Sequence, residues 1–207
     1  MRDKIAVPLV AIAVLALLLA WLLWYWQPAP MDPQAAHRQL GLAAEPTGGD
    51  FELQSWQGPV GLADLRGKVV LIYFGYTWCP DICPTNLALI ALALQSLTPA
   101  EREAVRILFV SVDPERDTPD RLKTYAGYFA PEILGVTGDE AAVARVASLY
   151  GASYQRSEQS DSAMGYAVDH SAYTYVVDTQ GRLVETLEHA TPAERIVEVI
   201  RGYLPTP

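Results

Sequence analysis

A chain of 207 residues, 51% hydrophobic and 19% charged, is long enough for one domain with a substantial core. Its net charge of −9 argues against nucleic acid or anionic lipid as a partner, since both reward clustered Lys and Arg. Cys79 and Cys83 are the only thiols, so any thiol chemistry is confined to one short run.

Residues 1–4 carry Arg2 and Lys4, and residues 5–26, IAVPLVAIAVLALLLAWLLWYW, carry no charge. At about 1.5 Å rise per residue that stretch spans a hydrocarbon core of about 30 Å. Trp21, Trp24, Tyr25 and Trp26 gather at its far end as an interfacial belt would. No basic residue follows until Arg38, so the positive-inside rule expects residues 1–4 in the cytoplasm and the rest outside it. Length and the bulky aromatic end favour an uncleaved single-pass anchor over a signal peptide. The working expectation is a bacterial inner membrane with the folded part in the periplasm, where thiols meet an oxidising environment.

Residues 27–49 are rich in Pro, Ala and Gly and read as a flexible tether, leaving 50–207 as the domain. Phe51–Trp56 alternates like a short strand before Gly58-Pro59, and 62–68 looks like a helical turn closed by Gly67. Val69–Phe74 is a continuous apolar run, suited to a strand buried on both faces. A helix is expected over 87–97, ended by Thr98-Pro99, and a second buried strand over 105–112. Asp117-Thr-Pro-Asp120 should cap a helix running to about Phe129. A short strand at 133–136 precedes a helix from Asp139 to Tyr150, stopped by Gly151. Residues 153–168 are polar and Ser-rich and read as a mobile loop leading to Asp169-His170. A strand at 172–177, a turn, its hairpin partner at 182–187 and a helix at 192–203 close the chain. Alternation of strand and helix implies an α/β fold, helices on a mostly parallel sheet with an antiparallel edge.

The cysteines sit in Gly75-Tyr-Thr-Trp-Cys-Pro-Asp-Ile-Cys-Pro84, at a strand-to-helix corner. Pro84 suits the first position of a helix, which puts Cys83 near the N-cap and Cys79 just before it. There the helix dipole and free first-turn N–H groups favour thiolate, the form that acts as nucleophile and metal ligand. A disulfide closing so short a loop constrains the unfolded chain little, which weakens a purely stabilising role. His170 precedes a sheet strand, where the architecture can bring it beside the thiols. Two thiolates and an imidazole suit Cu(I), whereas zinc wants a fourth ligand. His37 and His189 read as surface residues. Asp81 either tunes thiolate charge, contacts a partner or favours the helix terminus. Asp113, with 114–117, either lines the site or shapes a turn, and Asp169 either orients His170 or shapes one too.

Three segments in order, Gly75–Pro84, Ser111-Val-Asp-Pro-Glu-Arg-Asp-Thr118 and Val168-Asp-His-Ser171 before a tyrosine-rich strand, resemble the Sco/SenC family of membrane-anchored copper proteins. The likeness extends over about Phe51 to Leu204 and implies a thioredoxin-like fold. It also implies that Cys79, Cys83 and His170 ligate copper, with a reversible disulfide between the cysteines when metal-free. The family assists assembly of the dinuclear copper centre in subunit two of cytochrome c oxidase, by delivering copper, by reducing the target's cysteines, or both. Two functions follow. One is a metallochaperone receiving copper from a donor chaperone and passing it to that subunit or another extracytoplasmic acceptor. The other is a thiol–disulfide reductase acting on such a target. C-x-x-x-C, one residue longer than the redox C-x-x-C motif, and the presence of His170 favour the first.

Overall fold

Val69–Gly75 is buried along its whole length, as an unbroken apolar run requires, and forms the central strand of the fold. The computed structural model describes residues 15, 17–19, 21, 46–158 and 165–205. The chain divides into two units, Met1–Gly41 and Leu42–Pro207. Of the expected membrane span, residues 15, 17–19 and 21 are described, and these are helical and exposed. The rest of that span and the tether to residue 45 lie outside the described residues. Among the described residues no helix is long and apolar enough to cross a membrane.

The larger unit begins with a hairpin of β1 (Glu52–Ser55) and β2 (Gly58–Gly61), then a 3-10 turn at Ala63–Leu65. There follow β3 (Val69–Gly75), α1 (Ile82–Gln95), α2 (Pro99–Glu103), β4 (Val105–Ser111), α3 (Pro119–Phe129), β5 (Ile133–Val136) and α4 (Glu140–Tyr150). The chain closes with β6 (Tyr154–Glu158), β7 (Tyr166–His170), β8 (Thr174–Val177), β9 (Leu183–Leu187) and α5 (Ala193–Tyr203). The five-stranded sheet has the order β5-β4-β3-β8-β9. β3, β4 and β5 are parallel, while β8 and β9 form the antiparallel edge. This is an α/β fold with a central mixed sheet flanked by helices, thioredoxin-like in arrangement.

Side chains alternate along β3 and so meet different layers. Phe74 faces Tyr150 of α4 and Tyr175 of β8, with ring centroids 6.2 and 5.6 Å away. Tyr73 and Gly75 face α1 instead, and the strand lies so close to that helix that a Cβ on Gly75 would fall 2.5 Å from Cys83 Sγ. α3 closes on β5 the same way at Gly135, where a Cβ would fall 2.6 Å from Leu122 Cβ.

Four local expectations are corrected or made more specific. α1 starts at Ile82, so Pro84 is its third residue, still within the turn whose N–H groups have no helical acceptor. Thr98-Pro99 does more than end a helix: Thr98 and Glu101 build a capping box for α2. Within Asp117–Asp120, which caps α3 as expected, the cap is Thr118 through Arg121 N–H, while Asp117 is fully buried. Of the expected loop at 153–168, residues 154–158 and 166–168 are strand instead, in the antiparallel β6–β7 pair, with Tyr154 opposite His170, and 159–164 lie outside the described residues.

Candidate metal centre

Cys79 lies in the loop between β3 and α1, and Cys83 is the second residue of α1. Both are buried free thiols, Cys83 completely. The Cys83 backbone N–H, which has no acceptor within the helix, donates to Cys79 Sγ at 3.4 Å. His170, the last residue of β7, places Nε2 at 3.3 Å from Cys83 Sγ. One ligand atom from each of Cys79, Cys83 and His170 lies within 4.8 Å of the others, a group that could hold a metal ion. His170 Nδ1 is 3.0 Å from the Ser171 carbonyl oxygen. A ring nitrogen facing a carbonyl carries the proton, which leaves the Nε2 lone pair toward the sulfurs.

The two thiols differ in acidity. A hydrogen bond from Cys83 pulls Cys79 down to about 3 against the opposing effect of burial, helped by His170 and by the N–H groups of Cys83 and Asp81. Burial first, and then its contact with Cys79, pushes Cys83 well above the usual thiol range. The pair therefore holds one proton between two sulfurs, with the thiolate on the more accessible Cys79.

Neighbouring elements fix these positions. Asp117 accepts from Thr77 N–H at 2.9 Å, Thr77 Oγ1 at 2.6 Å and Ser111 Oγ at 2.7 Å, pinning the start of the cysteine loop to the end of β4. Burial pushes the Asp117 carboxyl up despite these bonds. Arg121 Nε donates to Thr77 Oγ1 at 2.5 Å, and its guanidinium lies 4.7 Å from the Trp78 ring centroid. Asn86, one turn beyond Cys83, donates to the Ala172 carbonyl at 3.0 Å and accepts from Ala190 N–H at 2.9 Å. The segment after His170 is thereby tied to the cysteine helix. Tyr73 and Tyr76 turn toward the His170 ring at 6.3 and 5.8 Å in near-perpendicular contacts. Trp78 and Ile82 remain partly exposed.

The three acids singled out from the sequence do different things. Asp81 is exposed at the N-cap of α1 but makes no side-chain cap bond. Asp113 is buried, 2.5 Å from Arg116 Nε, and accepts from Tyr166 Oη at 2.7 Å, so it braces the strand that carries His170. Asp169 is exposed opposite Gln155, and the Ser171 carbonyl takes the position expected of it beside the His170 ring. His189 is exposed, as expected, with Nδ1 3.1 Å from Asn86 Oδ1, and His37 lies outside the described residues. Sequence reasoning missed Tyr73, Thr77 and Asn86. Period-two alternation, which places Tyr73 on the face of Gly75, was the available signal for the first.

The SCO1/SenC family model matches residues 41–205. An SCO2-like protein of Rickettsia felis is 36% identical over 156 residues, covering 75% of this chain and 76% of that protein. The structure of Bradyrhizobium japonicum ScoI with copper bound superposes with a TM-score of 0.69 at 37% identity, over 76% of this chain and 99% of the other. Yeast Sco1 with copper bound gives a TM-score of 0.67 at 34% identity, over 77% and 91%. The match to the family model covers most of the chain, and these relatives are 34–37% identical over about three quarters of it: the chain belongs to the SCO1/SenC family.

Proposed function

We propose that this protein is a membrane-anchored metallochaperone that carries copper on Cys79, Cys83 and His170. Its task is assembly of the dinuclear copper centre of cytochrome c oxidase subunit two, or of another extracytoplasmic copper acceptor, with copper arriving from a donor chaperone. Residues 5–26 would anchor it, with the domain on the periplasmic side. The supporting observation is the convergence of two sulfurs and a correctly oriented imidazole within 4.8 Å. Soft sulfur donors with one nitrogen suit Cu(I), and low coordination leaves room for a thiolate of the acceptor to enter and take the ion by ligand exchange. Relatives solved with copper bound support the choice of metal.

A second reading, thiol–disulfide reduction, is favoured by the ionised Cys79. Its thiolate would attack a target disulfide, and Cys83 would resolve the mixed disulfide, the two electrons passing to the target dithiol. Titration of the reduced protein with Cu(I) against a competing chelator separates the two readings. Tight one-to-one binding that weakens at least tenfold in His170→Ala, with disulfide formation intact, is the expected result. Binding no tighter than that of a simple dithiol would reject the chaperone reading, and unchanged affinity in His170→Ala would remove His170 from the site.

A further inference from the structure

Tyr73 carries a buried hydroxyl with no hydrogen-bond partner, an uncommon state for a polar group. Backbone pairing on both sides fixes its strand, to Phe109 of β4 and to Thr174 of β8. Its ring stacks on Phe109 at 6.2 Å and meets the edge of His170 at 6.3 Å, so the phenol is held in place. The polar groups around the hydroxyl are the Cys83 thiol and the Asn86 amide. Asn86 is already engaged, its Nδ2 with the Ala172 carbonyl and its Oδ1 with Ala190 N–H and His189 Nδ1. One acceptor remains, the Cys83 sulfur. As a thiol it accepts weakly, but a metal-bound sulfur is anionic and accepts strongly.

We propose that Tyr73 is a positioning residue that donates a hydrogen bond to the Cys83 sulfur when that sulfur ligates copper. This rests on the copper reading above and adds a function for the tyrosine within that site. The phenol keeps its proton throughout. Its hydrogen bond withdraws charge from the sulfur, which weakens sulfur donation to Cu(II) and favours the Cu(I) form.

Tyr73→Phe removes one oxygen and leaves the ring packing in place. In the full-length protein loaded with Cu(II), the sulfur-to-copper charge-transfer band should move to longer wavelength. The affinity of the reduced protein for Cu(I), measured against a chelator, should fall roughly tenfold. Tyr125→Phe is the control, since Tyr125 also carries a buried hydroxyl without a partner but lies on α3. It should move neither quantity. An unmoved band with unchanged affinity in Tyr73→Phe overturns the inference while the copper reading stands, and equal shifts in the two variants overturn it as well. Absence of any sulfur-to-copper band in the unaltered protein, together with no tight Cu(I) binding, overturns both.

Discussion

Gly75 is the point at which the central strand makes room for sulfur. A Cβ there would lie 2.5 Å from Cys83 Sγ and 2.8 Å from Phe109 Cε2, distances no real contact tolerates. Phe109 is fully buried, and Cys83 is fixed in the first turn of α1, so neither gives way freely. Gly75→Ala must therefore push α1 outward or turn the Cys83 sulfur away from His170. Overpacking of this kind costs about 1–3 kcal/mol. The variant should unfold at lower urea and lose at least tenfold in Cu(I) affinity, both read on one preparation. Normal affinity would mean that the sulfur position is not set by this contact. The candidates Cys79, Cys83 and His170, which the structure brings together, could be picked out of the sequence because their side chains carry recognisable chemistry. Gly75, Tyr73 and Asn86 act through space and burial, which residue type alone does not reveal.

Among the elements, those with strong periodicity or strong caps were legible from sequence. α4 is an example: Asp139 accepts from Ala142 N–H at 2.6 Å, and Gly151 ends the helix at φ 66°. The turn between β8 and β9 is another. Asp178 accepts from the Gln180 and Arg182 N–H groups and from the Arg182 guanidinium, all at 2.7–2.9 Å. Burial alone would raise its carboxyl, but the Arg182 backbone and side-chain bonds and the Gln180 bond outweigh it, so the net shift is downward. A carboxyl depressed in the folded state stabilises the fold above its unfolded value of about 3.9, and that stability is lost as the pH falls through the folded value. Asp178→Asn should thus cost about 1 kcal/mol at pH 7, a modest figure because Arg182 is largely exposed. Urea unfolding of both proteins should converge as the pH drops below about 4. A deficit constant down to pH 2 would assign the loss to turn geometry instead.

At the scale of the whole domain, the candidate site joins two separate sheets. The cysteines follow β3 of the five-stranded sheet, Cys79 in the loop and Cys83 in α1, whereas His170 arrives on the two-stranded β6–β7 hairpin. The order of strands and helices in the main sheet was legible because buried parallel strands read as continuous apolar runs. The hairpin was not, because its strands are polar and lack clean alternation. Its conformation depends on distant partners. Tyr166 lies between two guanidiniums, 3.6 Å from that of Arg116 and 3.4 Å from that of Arg156, and Arg116 Nη1 also donates to the Tyr166 carbonyl at 3.1 Å. Tyr166 Oη on Asp113 adds a further bond, from the segment directly after β4. This clamp holds the strand that carries His170 four residues further on. Tyr166→Leu keeps apolar bulk but removes the hydroxyl and the ring faces. Hydrogen exchange at amides 166–170 should quicken at least tenfold relative to β3 and β4, because the hairpin opens locally without unfolding the sheet. Copper affinity should fall by less than in His170→Ala, since the imidazole is then held part of the time. Exchange in β7 that merely follows the global unfolding rate would show that the Ser153–Ser171 and Asn86–Ala172 bonds suffice to hold the histidine.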